Sequence, residues 1–353
     1  MTRPPDPIAS RASGHPTPDP PSLTPQPPAP RPLSPDRAAA AMAQLQAQVG
    51  RWVVGQPRPL FELTVALACN GHCLIEGVPG LGKTLLVHTV ARSLGLRFAR
   101  VQCTPDLMPG DITGTALLLD ERGHERFEFQ PGPLFANLCL ADEINRATPR
   151  TQSAFLEAMQ EGQVTVMGES HPLPHPFLLL ATQNPIEMEG TYPLPEAQQD
   201  RFMFSLKLDY PTRLEEVEVL TRLAAGTRSE LKTVLRSEDI LRFQAAVDQI
   251  AIPEDLISAI ADAVRSTRPD DPSAPPLVRE VVDWGAGPRA GQALLTGAKA
   301  LAAIAGRPAA GWADVRRIIK PVLRHRIGLN YRARGRGVSA DDVIEAAVAR
   351  FDS

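Results

Sequence analysis

The stretch Gly77-Val78-Pro79-Gly80-Leu81-Gly82-Lys83-Thr84 fits the spacing G-x-x-x-x-G-K-[ST], and its neighbours supply the context that the spacing needs. Before it runs the apolar segment Cys73–Glu76, read as a strand. After it, Leu85, Leu86, Val87, Val90 and Leu94 mark a helix. Strand, glycine loop and helix in that order make a phosphate cradle. Gly77, Gly80 and Gly82 let backbone N–H groups turn inward around phosphate oxygens, at the positive end of the helix dipole. Lys83 supplies a mobile positive charge for the outer phosphates, and Thr84 a hydroxyl for Mg2+. The chain has only five lysines among its 37 basic residues, yet this position is Lys.

A nucleotide machine also needs an apolar strand ending in acid, and Leu138-Cys-Leu-Ala-Asp142-Glu143 provides it. Asp142 is expected to hold Mg2+ beside Thr84. Glu143, pointing to the other side of the strand end, is expected to polarise the water that attacks a γ-phosphate. Such a string is common in isolation, but about 60 residues after a phosphate loop it completes a site.

Outward from this site, short apolar runs alternate with helical stretches up to Tyr210, the pattern of an α/β fold with a parallel sheet between helices. The strand candidates are Cys73–Glu76, Phe98–Val101, Leu138–Ala141, Phe177–Thr182 and Phe202–Leu206, a five-stranded sheet. An alanine-rich helix from Asp36 to Val49 precedes them. Two hairpins interrupt the plan, Thr115–Phe129 turning at Asp120–Gly123 and Gln163–Pro174 turning near Gly168. After Pro211 the strand signal disappears and helices follow. One places Leu256, Ile257, Ile260, Ala261 and Val264 on a single face, and another is capped by Ser339 with Asp342. The expected organisation is a proline-rich tail over 1–35, an α/β core over 36–211 and a helical lid over 212–353. Thirteen of the 36 prolines fall in the tail, which cannot bury enough to fold and reads as a tether, a docking strip or a featureless end.

The 353 residues are 43% hydrophobic and 22% charged with a net charge of −3, a globular composition with room for two domains. No run approaches the ~18 apolar residues of a membrane span, and Met1–Pro7 lacks a secretory apolar segment, so no membrane role is expected. Cys69, Cys73, Cys103 and Cys139 form no C-x-x-C pair, which suggests a reduced, cytoplasmic chain. Cys69, His72 and Cys73 resemble half a zinc site without a second ligand pair, so buried thiols are the expectation. Charge is uneven. Arg279–Arg336 holds twelve basic and three acidic residues, either a surface for phosphates, a solvated face or a subunit seam.

At this point the sequence resembles the AAA+ ATPases and, within them, the MoxR family. The resemblance is carried by Gly77–Thr84, Phe129-Gln-Pro-Gly-Pro-Leu-Phe-Ala-Asn137, Asp142-Glu-Ile-Asn-Arg146, Thr151-Gln-Ser-Ala-Phe-Leu-Glu-Ala-Met159 and Glu196-Ala-Gln-Gln-Asp-Arg-Phe202, and it runs from about Val53 to Ser353. It implies an ATP-binding core with a helical lid, a helix-two insert supplied by Thr115–Phe129, and assembly into a ring, usually a hexamer. ATP would be held by residues 77 to 85, from Gly77 to Leu85, with Thr84 and Asp142 on Mg2+ and Lys83 and Glu143 in catalysis. Asn184 matches the sensor-one position, although an Asn-Pro turn ends strands in the same way. Arg201 matches the arginine finger that reaches the neighbouring subunit's γ-phosphate, the alternative being a salt bridge to Asp200 or Glu196. Arg289, in Gly287-Pro-Arg-Ala290, resembles the sensor-two arginine that touches the nucleotide in its own subunit. Gly287 stands where the family usually has Ser, which should loosen the helix cap. Gln199 stands where it more often has Leu, in the packing of the finger helix. Asn145 and Arg146 match the family string without a derivable role, and Arg324 and Arg326 either line a subunit interface or are solvated.

The leading expectation is an ATP-driven chaperone that remodels or matures a partner complex. Relatives of this kind act with von Willebrand factor A type proteins. A DNA-translocating helicase is the alternative, because the basic window can contact phosphates, but the whole chain is acidic and lacks a dedicated nucleic-acid-binding domain. A nucleotide-gated scaffold without turnover would lack Glu143 or Arg201, and both are present.

Overall fold

The computed structural model describes residues 34–121, 124–184, 190–226 and 230–351. The expected tail, apart from Ser34 and Pro35, and the tip of the first hairpin at 122–123 lie outside the described residues.

Among the described residues nine strands precede the helical region: β1 (Cys73–Glu76), β2 (Phe98–Gln102), β3 (Gly114–Glu121), β4 (His124–Pro131), β5 (Leu138–Asp142), β6 (Gln163–Val166), β7 (Glu169–Pro172), β8 (Leu178–Gln183) and β9 (Phe204–Lys207). Five form a parallel sheet in the order β2-β5-β8-β1-β9. Its central strands β5 and β8 read as largely apolar runs because helices cover both faces. Alternate residues point to opposite sides. Cys73, Ile75, Leu138, Leu140, Leu178 and Leu180 meet the Pro35–Gly50, Pro57–Ala68 and Lys83–Ser93 helices. Leu74, Cys139, Ala141, Leu179 and Ala181 meet Phe155, Leu156 and Met159 of the Pro149–Glu161 helix. β3–β4 and β6–β7 are the two antiparallel hairpins, joined where Phe129 stacks on His171 at 3.8 Å.

The fifth sheet strand starts at Phe204 rather than Phe202, because Phe202 N–H closes the preceding turn on Gln199. The fourth lies one residue later than expected, at Leu178–Gln183. Strands also do not vanish after Pro211. β10 (Val282–Trp284) pairs antiparallel with β11 (Gly328–Leu329), and the Trp284 ring covers Gly328 so closely that a Cβ there would lie 2.1 Å from it.

The helical region packs directly onto the sheet, and one apolar cluster runs from Phe204 and Leu206 into Leu294, Ala298, Ile318 and Val322. Met203 and Phe204 face Gly297 of the Pro288–Ile304 helix, where a side chain would collide with Ile318. In the Glu254–Arg265 helix only Leu256, Ile260 and Val264 of the expected face are buried; Ile257 and Ala261 are exposed. Among the described residues no helix is long and apolar enough to cross a membrane.

Candidate functional site

The loop at 77–84 leaves the C-terminal end of β1 and enters the Lys83–Ser93 helix. Gly80 and Gly82 take φ of +88° and +80°, the left-handed region that side chains disfavour, so these two glycines make the turn. Gly77 serves otherwise than expected. A Cβ there would lie 3.1 Å from the Leu208 carbonyl oxygen, so its smallness lets the loop lie against the chain leaving β9. Lys83 Nζ donates to the Gly77 carbonyl at 2.6 Å. Burial pulls its ammonium below the ordinary pKa, while the carboxylates of Asp142 and Glu143 push it back up, so the basic and acidic halves of the site face one another. Leu85 stays exposed at the helix start.

A cavity of about 300 Å3 is lined by Val53, Val54, Gly55, Gln56 and Glu215 among others. Gln56 Nε2 donates to the Asp209 carbonyl at 2.9 Å, next to the Leu208 that abuts Gly77. These residues escaped sequence reasoning. Their one signal is a short Val-Val-Gly-Gln string between two helices.

At the acidic end, β2 and β8 supply what β5 cannot. Asp142 Oδ1 accepts from Thr182 Oγ1 at 2.6 Å, and Oδ2 accepts from Arg100 Nη2 at 2.6 Å and Nε at 3.0 Å. Thr182 Oγ1 also accepts from Glu143 N–H at 2.7 Å. Glu143 takes φ +57°, a left-handed conformation rare for a residue with a Cβ, which Thr182 helps to hold. Its carboxylate accepts from Gln102 Nε2 at 3.1 Å and pairs with Arg146 at 3.2 Å, which gives Arg146 a contact that the sequence left open. Asn145 is buried, and its Oδ1 has no hydrogen-bond partner among the described residues. Asn184, also buried, follows β8 directly, one strand from Asp142. Arg100, Gln102 and Thr182 were missed, although Gln102 lies in register with Asp142.

Arg201 lies at the other end of the sheet. Phe204 pairs with Cys73, the first residue of β1, whereas Lys207 pairs with Glu76, the last before the loop. Met203 N–H bonds the His72 carbonyl, placing Arg201 below the strand starts. Arg201 Nε is buried without a hydrogen-bond partner, and among the described residues Asp200 and Glu196 do not pair with it. Asp200 is taken by Arg326 at 2.8 Å, with Arg289 at 3.8 Å.

Arg289 therefore requires a correction. It shares with Arg201 a cavity of about 270 Å3 at the end of the sheet opposite its own phosphate loop, because the Pro288–Ile304 helix folds back against Met203 and Phe204. It is not placed to touch a nucleotide in its own subunit. Arg324 and Arg326 turn inward rather than to solvent. Arg326 donates to the carbonyls of Asp200, Phe202 and Met203, and Arg324 to that of Ser205. Gln199 Nε2 closes the finger turn on the Leu194 carbonyl, and Gly287 offers its helix no side-chain cap.

His72 has both ring nitrogens committed. Nδ1 accepts from Leu179 N–H at 2.9 Å, which leaves the proton on Nε2 to donate to the Met159 carbonyl at 3.0 Å. Burial lowers its pKa to about 4. Cys69 and Cys73 are free thiols whose pKa burial raises, and Cys69 donates weakly to the Thr296 carbonyl.

Two family models match the chain: "ATPase family associated with various cellular activities (AAA)" over residues 72–204, and "AAA lid domain" over residues 276–347. Among curated relatives, Chaperone MoxR1 of Mycobacterium tuberculosis is 43% identical over 297 residues, covering 84% of this chain and 78% of the relative. Protein MoxR of Paracoccus denitrificans is 30% identical over 321 residues, covering 82% and 89%. A crystal structure of a putative ATPase from Cytophaga hutchinsonii superposes with a TM-score of 0.82 at 39% identity, covering 89% of this chain and 95% of that one.

Proposed function

Because this chain belongs to the MoxR family of AAA+ ATPases, we propose that it hydrolyses ATP at sites shared between adjacent copies of a hexameric ring and uses the cycle to remodel or mature a partner protein complex. The observation that carries the reading is the distance between the two halves of the machinery. The phosphate loop with Asp142 and Glu143 lies at one end of the sheet, and Arg201 with Arg289 at the other. A buried guanidinium nitrogen without an internal acceptor supports an acceptor from outside the chain.

The residues present suit a magnesium nucleotide. Gly80 and Gly82 turn backbone N–H groups toward phosphate oxygens, and Lys83 exchanges its Gly77 carbonyl for them. The cavity at residues 53–56, lined by apolar and polar side chains alike, has room for a planar base. Thr84 and Asp142 would hold Mg2+. Their oxygens are hard donors, and Asp142 already carries one cation, the Arg100 guanidinium. Held there, the ion would supply positive charge beside the phosphates. Glu143 takes the proton of the attacking water, Thr182 holds its backbone in place, and Asn184 orients the water or the γ-phosphate. Arg201 and Arg289 of one copy then stabilise charge on the nucleotide of the next.

The partner belongs to the proposal as well. The MoxR resemblance favours a von Willebrand factor A type protein, and the four free cysteines suit a cytoplasmic setting. The helicase reading loses support, because seven of the twelve basic side chains in the 279–336 window are ion-paired within the chain.

Mixing variants tests the shared site. Arg201→Ala and Lys83→Ala should each be nearly inactive, since loss of a finger typically costs about three to five orders of magnitude. In a co-assembled mixture, a Lys83→Ala subunit offers its intact finger to the intact loop of an Arg201→Ala neighbour, and activity should return at those interfaces. A co-assembled mixture as inactive as either parent refutes the trans arrangement.

A further inference from the structure

The cavity at residues 53–56 carries fixed negative charge. Val53, Val54 and Leu60 supply apolar surface, and Glu215 and Glu218 of the Arg213–Ala224 helix supply carboxylates. The two carboxylates are not alike. Glu218 pairs with Arg222 of its own helix, which also bonds the Arg51 carbonyl. Glu215 meets no cation among the described residues. It is fixed instead by Thr212, whose N–H and hydroxyl both donate to Oε2, at 2.7 Å and 2.8 Å. These bonds hold the Glu215 carboxyl below the ordinary range, so it is ionised at neutral pH. Its Oε1 is left for a donor from elsewhere.

The cavity and the phosphate loop rest on the same four residues, 208–211. The Leu208 carbonyl oxygen lies 3.1 Å from where a Cβ on Gly77 would be, and Pro211 Cβ lies 3.0 Å from where one on Gly55 would be. Gln56 Nε2 closes the corner on the Asp209 carbonyl. Gly55 takes φ +76°, and a Cβ there would also lie 3.3 Å from the Glu215 carboxyl carbon, so the backbone that borders the cavity lies against this one carboxylate. Among purines the edge decides what such a group can accept. Adenine presents an N6 amine where guanine presents an O6 acceptor. A carboxylate only accepts, whereas the amides of Gln46 and Gln56, which also line the cavity, can serve either base.

We infer that Glu215 selects the base of the nucleotide, its Oε1 accepting from the N6 amine of adenine and repelling the O6 of guanine or hypoxanthine. The inference rests on the ATP reading above and adds to it a specificity residue outside both the phosphate loop and the acidic strand end. The capping box then serves the ligand as well as the helix, because Thr212 holds the carboxylate in place before a nucleotide arrives. A hydrogen bond to a charged group typically changes affinity by about tenfold or more.

Equilibrium competition among magnesium nucleoside diphosphates on the full-length chain tests it. Wild type should bind ADP at least about tenfold more tightly than IDP and GDP, which carry O6, and than purine riboside diphosphate, which has hydrogen in place of the amine. Glu215→Gln keeps the capping box, since Gln serves at that position too, so its melting temperature should hold. Its amide N–H can donate to O6, and the preference for ADP over IDP should shrink to within about threefold. Glu216→Gln, on the exposed neighbour, should leave the preference unchanged. Equal binding of ADP and purine riboside diphosphate by the wild type overturns the inference whatever the variants do, and so it decides alone should Glu215→Gln melt lower. A Glu215→Gln chain that melts like the wild type and keeps its preference overturns it as well, as does an equal loss of preference in Glu216→Gln. If ADP binds and Lys83→Ala abolishes that binding while the base goes unread, only the role of Glu215 is wrong. If no nucleotide binds the wild type, the ATP reading falls first.

Discussion

Arg326→Met removes a buried guanidinium that ties the helical region to the start of β9. The wild-type side chain pairs with Asp200 at 2.8 Å and donates to the carbonyls of Asp200, Phe202 and Met203. Burial disfavours its charge, and Asp200 compensates. Removing one partner from a buried charged network costs about 3–5 kcal/mol. Two features move the figure to the low end. Asp200 is 29% exposed and regains water, and Arg289, 3.8 Å away, can close onto it. The three carbonyls lose their charged donor regardless. We therefore expect about 3 kcal/mol, a melting temperature lower by about 6 °C at ~2 °C per kcal/mol for a chain of this size. Arg316→Met is the control, because the Arg316–Glu345 pair is solvent-screened at 31% and 39% exposure, and its loss should cost below about 1 kcal/mol. Thermal unfolding by circular dichroism measures both, with ATPase rates taken well below melting. Turnover of Arg326→Met should fall more than ATP affinity, because the turn holding Arg201 loosens while the phosphate loop does not. If Arg326→Met melts within about 1 °C of Arg316→Met, the clamp contributes no more than a surface pair and the reasoning is wrong.

Stability should also fall on acidification between pH 6.5 and 4. There the unfolded chain protonates His72 while the folded chain, with its pKa near 4, does not; His325, also pushed well below the ordinary value by burial, adds in the same direction. At pH 5 the His72 contribution is about 2 kcal/mol relative to pH 7, and urea titrations of His72→Gln at both pH values should show a shallower pH slope than wild type. Thr182→Val leaves the Glu143 N–H without its acceptor, so it should cost about 1–3 kcal/mol in urea unfolding. The same variant should lower turnover by roughly a hundredfold at unchanged ATP affinity, through misplacement of the Glu143 carboxylate. Arg100→Ala frees Asp142, and because the Arg100 side of the pair is half exposed the Mg2+ concentration for half-maximal turnover should drop by no more than about fivefold; an increase would show that Arg100 assists the metal site instead of competing with it.

The parts of this molecule legible from sequence are those in which local pattern and tertiary environment agree. β5 is buried along its whole length and reads as an apolar run ending in Asp142, and the phosphate loop carries its glycines where φ turns positive, apart from Gly77, whose role depends on a neighbour 131 residues away. Arg100 and Gln102 were illegible because polar residues on an edge strand look like a solvated face. Only the register of β2 with β5 turns them toward Asp142. β10 and β11 are too short for periodicity to register.

Arg289 was assigned to its own nucleotide because motif order says nothing about which end of the sheet a helix returns to. That return is decided by Gly297 admitting Ile318 and Met203, and by Arg326 closing on Asp200. The buried Arg201 Nε, without a hydrogen-bond partner among the described residues, suits an acceptor from outside the chain. On the proposed shared site, dissociation should impair hydrolysis even with every residue of the phosphate loop intact.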